Sequence, residues 1–157
     1  MKPRLDETLA SVAEQTFESL AFMFPMEDEA PADPARPRLT SAVPFSGPFG
    51  GSLAVTVDEA ALPMLAANML GLDPDSPPTR VQQEDALREM ANVICGNLLP
   101  AIAGTEAVFY VGAPEIAAGP SAAPVASAHL ALDAGPVDLA LAVEGEVPAA
   151  LQESPRP

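Results

Sequence analysis

Between Asp85 and Pro100 the chain reads DALREMANVICGNLLP. Leu87, Ala91, Ile94 and Leu98 recur at four, three and four residues, with Met90, Val93 and Ala101 widening the stripe. That period demands a helix, placed over Val81 to about Ala103, with one face in a core. The step of ~100° per residue puts Asp85, Glu89, Asn92 and Gly96 on a second, polar stripe roughly opposite. From spacing alone, such a stripe is most often a solvated face. Asn and Gly nevertheless cost roughly 0.7 and 1 kcal/mol relative to Ala inside a helix, so something should offset them.

The other segments surround this helix. Leu5, Leu9, Val12, Thr16 and Leu20 follow helical spacing, which predicts an amphipathic helix from about Asp6 to Phe24, stopped at Pro25. The acidic stretch Met26 to Asp33 and the prolines at 25, 31, 34 and 37 predict an exposed loop. LTSAVPF and SLAVTVD, separated by SGPFGG, read as a hairpin. Asp58 stands where an N-cap would precede a helix over EAALPMLAANML; Gly71 would close it, and Pro63 fits only within its first turn. Further on, AVFYV predicts a short strand, GAPEIAAGPSAA a turn-rich connection, and PVASAHLALDAGPVDLALAVEG a second hairpin. The expected class is α+β, with long helices packed on an antiparallel sheet into which both hairpins can pair. One domain is expected over 1–145, with 146–157 as a flexible C-terminal tail.

Composition narrows the function. Hydrophobic residues make up 48% of the 157 and charged residues 18%, as a globular core requires. With aromatics at 4% and no Trp, that core must rest on Leu, Val, Ile, Ala and Met. A formal net charge of −15 disfavours nucleic acid as a partner. The apolar runs fall short of the ~18 residues of a membrane-spanning helix, so no membrane insertion or export is expected. Cys95, the single cysteine, has no internal disulfide partner, in keeping with a cytoplasmic protein. His129, the single histidine, reads as an ordinary sheet residue, and the methionines as core and interface filler.

The spacing of Asp85, Glu89 and Asn92, followed by Gly96 and Asn97, resembles the signature of the CheC, CheX and FliY group of chemotaxis phosphatases. That signature is an Asp or Ser, three residues, Glu, two residues, Asn, and a proline a little over twenty positions later. Pro114 stands near that place, one residue early. ESLAFMF and VPFSGPFGGSLAVTVDEAALPMLAANMLG are similar to the group's first helix, hairpin and second helix, so the resemblance spans Thr8 to Val143. Two-site members repeat the Glu and Asn pair on the first helix. Here Ala10, Phe17 and Ala21 stand three residues after Glu7, Glu14 and Glu18, leaving one site. A single site resembles CheX, whose relatives are homodimers; a CheC-type domain that has lost one site is the alternative.

The resemblance implies an antiparallel CheC/CheX-like fold and hydrolysis of the aspartyl phosphate of a CheY-like response regulator, in chemotaxis or a related two-component pathway. It casts Asn92 as the residue that orients the attacking water and Glu89 as a docking partner for a regulator lysine. Asp85, Gly96 and Pro114 are supporting or docking candidates. The amide of Asn92 suits that role, since it donates and accepts hydrogen bonds without becoming charged. Asp85 has a second reading, as a helix-start charge, and Gly96 has one as a site of packing or bending. Asn97 is expected to be structural, bonding to neighbouring backbone. No cofactor of its own is expected; Mg²⁺ belongs to the regulator's acidic pocket, because this sequence lacks metal-ligand spacing. The other function class is a noncatalytic CheC/FliY-like adaptor.

Overall fold

The computed structural model describes residues 5–27, 35–73, 75–117 and 123–144. The element order is α1 (Leu5–Ala21), β1 (Arg38–Ser46), β2 (Gly51–Asp58), a 3₁₀ turn (Glu59–Ala61), α2 (Leu62–Leu70), α3 (Arg80–Ala103), β3 (Tyr110–Val111), β4 (Glu115–Ala117), β5 (Ala126–Leu132) and β6 (Gly135–Val143). Every strand pairing is antiparallel, in the order β3-β1-β2-β6-β5, with β4 also on β1. The two hairpins therefore join into one sheet, through β2 against β6. Most of the acidic Pro-rich loop and the C-terminal tail lie outside the described residues.

Strand alternation sorts the sheet into two faces. Val43, Leu53, Val55, Val57, Leu130, Leu132, Val137, Leu139 and Leu141 are buried in one cluster with the inward residues of all three helices. Their neighbours Thr40, Ala54, Thr56, Asp138 and Ala140 line up on the opposite face. There Arg38 Nε donates to Asp58 Oδ1 at 3.1 Å and Arg38 Nη1 to Asp138 Oδ2 at 2.7 Å; Arg36 Nη2 lies 2.6 Å from Asp58 Oδ2. His129, an exposed residue of β5, joins the row with Nδ1 2.7 Å from Asp138 Oδ1.

Three local expectations are corrected. α1 ends at Ala21 because Phe22 adopts a left-handed φ of 53°, and its N–H closes back on Glu18 O at 3.2 Å; Pro25 does not stop the helix. Asp58 makes no side-chain cap, because its carboxylate is held by the two arginines. AVFYV contributes only Tyr110–Val111, and the turn-rich connection contains a strand, β4, that pairs with Ser41 and its neighbours. Among the methionines, Met23 and Met90 are core, whereas Met26 and Met64 are exposed. The α2 reading stands: Pro63 falls in the first turn, and Gly71 caps the helix at φ 65°.

Candidate active site on the outward strip of the third helix

α3 begins at a capping box. Thr79 Oγ1 accepts from the Gln82 N–H at 3.1 Å, and Gln82 Oε1 accepts from the Thr79 N–H at 2.9 Å. Asp85 is therefore not the cap. Its Oδ1 accepts from Arg88 Nη1 at 2.7 Å, and Arg88 also lies 3.7 Å from Glu84. Thr79-x-x-Gln82 is a sequence signal of this cap that hydrophobic periodicity does not carry, as is the Asp85 and Arg88 spacing of three residues for their pairing.

The helix is covered on more sides than one apolar stripe requires. It packs against α1, α2, β1 and β2, and buries Ala86, Leu87, Met90, Ala91, Ile94, Cys95, Leu98 and Leu99. Ala86 and Cys95, adjacent in sequence to Asp85 and Gly96 of the polar stripe, turn into the core. Asn97 Nδ2 reaches across to Thr16 Oγ1 of α1 at 3.4 Å, and Thr16 Oγ1 donates to Val12 O at 2.7 Å. Asn97 is structural as expected, with a side chain of α1 as its partner. Asn68 Nδ2 in turn holds Ala21 O at 2.6 Å, tying α2 to the end of α1.

On the outward side Asp85, Glu89 and Gly96 are exposed and Asn92 is half-buried between them, in one strip that joins the exposed Val81 and Pro100 at the two ends of the helix. Glu89 and Asn92 stand one turn apart, so their Cβ atoms are about 5–6 Å from each other. A Cβ at Gly96 would meet nothing within 4 Å. That excludes packing as the reason for this glycine and leaves an unobstructed approach to the backbone. Pro114 lies half-buried between β3 and β4, strands that neighbour α3. The structure thus brings Asp85, Glu89, Asn92 and Gly96 onto one strip and sets Pro114 on a separate segment.

Desolvation pushes the Cys95 thiol up to about 12 from an ordinary 9.0. The native state keeps its proton where the unfolded chain loses it. This stabilising contribution is complete below about pH 9 and vanishes as pH rises towards 12. Native protein at pH 8 should accordingly resist iodoacetamide and react only after unfolding; stoichiometric labelling of the folded protein would contradict the burial. A groove of about 330 Å³, lined by Thr56, Ser127, His129 and Asp138 among others, lies on the far face of the sheet, away from α3. Among the described residues, no three His, Cys, Asp or Glu side chains converge as a metal site.

The sequence profile of the family described as "Chemotaxis phosphatase CheX" matches residues 39–130, which include β1 from its second residue, β2, α2 and the whole of α3. The chain belongs to the CheX family. CheX of Desulfovibrio desulfuricans superposes with a TM-score of 0.67 at 17% identity, over 89% of this chain and 99% of that one. CheX of Vibrio vulnificus gives 0.63 at 17%, over 90% and 97%. CheX of Borrelia burgdorferi, solved in complex with CheY, BeF3 and Mg²⁺, gives 0.58 at 14%, over 88% and 97%. At these identities the solved structures show a shared CheX/CheC-like fold. No functionally curated protein matches the sequence. Among the described residues, no helix is long and apolar enough to cross a membrane.

Proposed function

We propose that this CheX-family chain accelerates hydrolysis of the aspartyl phosphate of a CheY-like response regulator, using Glu89 and Asn92. The observation that carries this reading is the uncovered strip of α3. The helix buries Leu87, Ala91, Ile94 and Leu98 against the fold, and on its outward side it leaves a carboxylate, an amide one turn on, and a bare glycine backbone beyond them open to a partner.

The chemistry needs little more. Water attacks phosphorus in line; its P–O bond forms as the bond to the aspartate oxygen breaks, yielding the free carboxylate and inorganic phosphate. Positioning and charge stabilisation dominate such a step. The Asn92 carbonyl can accept a hydrogen bond from the water and fix its line of attack while staying neutral. Glu89, an anion, is unsuited to the phosphoryl group and suited to a lysine of the receiver. Mg²⁺ would be carried by the receiver's carboxylates, neutralising the phosphoryl oxygens there. On α1, Phe17 and Ala21 are buried where a second pair would need polar residues, so one site is expected.

The proposed assay mixes purified protein with a phosphorylated receiver and follows release of inorganic phosphate. Acceleration over the receiver's own loss supports the phosphatase. No acceleration, together with retained binding, would favour the adaptor. Gly96→Ala separates stability from docking. With nothing near the new methyl group, the variant should gain about 0.5–1 kcal/mol of stability. The methyl would also stand between the helix backbone and its partner, so the KM for the receiver should rise several-fold. A stabilised variant with unchanged KM would remove the proposed reason for the glycine.

A homodimer is also proposed, from the CheX resemblance. The outer edge of β5 is already occupied: Asp6 Oδ1 accepts from the Ser127 N–H at 3.2 Å, the Met26 N–H donates to Ala131 O at 2.8 Å, and the Asp133 N–H donates to Phe24 O at 2.9 Å. Sheet extension by a second copy would therefore use the β3 and β4 side. A monomer mass in light scattering at assay concentrations would refute the dimer.

A further inference from the structure

Arg88 stands out once the cations are accounted for. The lysine and arginine side chains among the described residues are Arg36, Arg38, Arg80 and Arg88. Arg36 and Arg38 are engaged by Asp58 and Asp138 on the far face of the sheet. Arg80, at the start of α3, is clamped between Glu59 at 2.8 Å and Glu84 at 3.0 Å, and lies about 18 Å along the helix from Asn92. Arg88 alone among them sits one turn before Asn92, rotated about 40° from it around the axis. Its partners are Asp85, at 2.7 Å and well exposed, and Glu84 at 3.7 Å.

This cation lies where the proposed reaction has an electrostatic difficulty. The chain carries −15, and its open strip shows the partner two carboxylates, Asp85 and Glu89. A pocket that binds Mg²⁺ and an aspartyl phosphate is itself lined with carboxylates. Like charges brought together across an interface oppose docking. An arginine held by solvent-exposed pairs can exchange one carboxylate for another at small cost, because such pairs are weak and screened. Its planar fork also matches a carboxylate in a way a lysine does not.

Resting on the phosphatase reading, we propose that Arg88 is a specificity-determining docking residue. On binding it leaves Asp85 and pairs with a carboxylate at the rim of the receiver's Mg²⁺ and phosphate pocket. Asp85 is then the internal counter-ion that holds Arg88 ready in the free protein. This reverses the role that the resemblance implies for Asp85, since the aspartate competes with the partner.

The test compares wild type, Arg88→Ala, Arg88→Lys and Asp85→Asn in two assays: steady-state hydrolysis of a phosphorylated receiver, and binding of the same receiver loaded with beryllofluoride and Mg²⁺. Arg88→Ala should raise both KM and Kd about tenfold and leave kcat within about twofold, with a shallower salt dependence. Arg88→Lys should recover only part of the loss, and Asp85→Asn should lower KM about two- to threefold by freeing the arginine. A purely helix-stabilising pair would move the melting temperature of both variants and neither constant; that result overturns the proposal. If wild type hydrolyses the phosphate and Arg88→Ala matches it in KM and Kd, this inference fails and the phosphatase reading stands. If wild type binds the loaded receiver without hydrolysis and Arg88→Ala weakens that binding, the catalytic reading fails and the docking role stands. Absence of binding by wild type refutes both.

Discussion

Ile94→Ala should melt roughly 6–12 °C below wild type, for a loss of about 3 kcal/mol. Ile94 is fully buried in the cluster that joins α3 to the sheet and to the other helices. Its truncation removes apolar contacts and leaves a cavity that a helix flanked on several sides cannot readily collapse into. The residue is two positions from Asn92, yet the effect belongs to the fold, so activity per folded molecule should be largely kept below the transition. Thermal unfolding followed by circular dichroism checks it. A loss below about 0.5 kcal/mol would mean that this face of α3 is not in the core.

Asn92→Ala is expected to do the opposite: keep the melting temperature or raise it by about 1–3 °C, Ala being the better helix former, and remove most of the acceleration, by roughly 10²–10³-fold in kcat. Asn92 is half-buried and lies outside the buried apolar cluster that anchors α3, so its removal has little structural cost. A water no longer held in line must find its geometry from solvent, which accounts for a loss of this size. Kd for a beryllofluoride-loaded receiver should change little, because the amide acts on the water and not on the partner. Glu89→Ala should lose both rate and affinity, since it removes the proposed contact to the receiver lysine.

The fold was legible where one period dominated. Leu87, Ala91, Ile94 and Leu98 announced α3, and the alternation of Val137, Leu139 and Leu141 announced β6; both reappear at those positions. Legibility failed where long-range partners decided the local structure. β4 is three residues that become a strand only because β1 offers an edge, and nothing in the local sequence announces that. Asp58 looks like a cap until Arg36 and Arg38 arrive from across the hairpin. A Phe in the left-handed region has no sequence signature, so Pro25 is the stop signal the sequence offers while Phe22 is the one that ends α1.

The site divides in the same way. Periodicity places Asp85, Glu89, Asn92 and Gly96 on one side of α3, but it cannot separate a working face from a solvated one. That distinction came from the family resemblance, with which the CheX family match agrees. The narrowness of the strip was invisible in the sequence, because a helical wheel does not know how many neighbours a helix has. Ala86 and Cys95 are buried through such neighbours, which narrows the outward side of α3 around Glu89 and Asn92.

The most direct test is single-turnover loss of phosphate from a phosphorylated, Mg²⁺-loaded receiver at saturating concentrations of wild type and of Asn92→Ala. Saturation removes docking from the comparison and leaves only the step assigned to the amide. Fast loss is expected with wild type and, with the bound variant, a rate close to that of the receiver alone. Equal rates for the two proteins would contradict it.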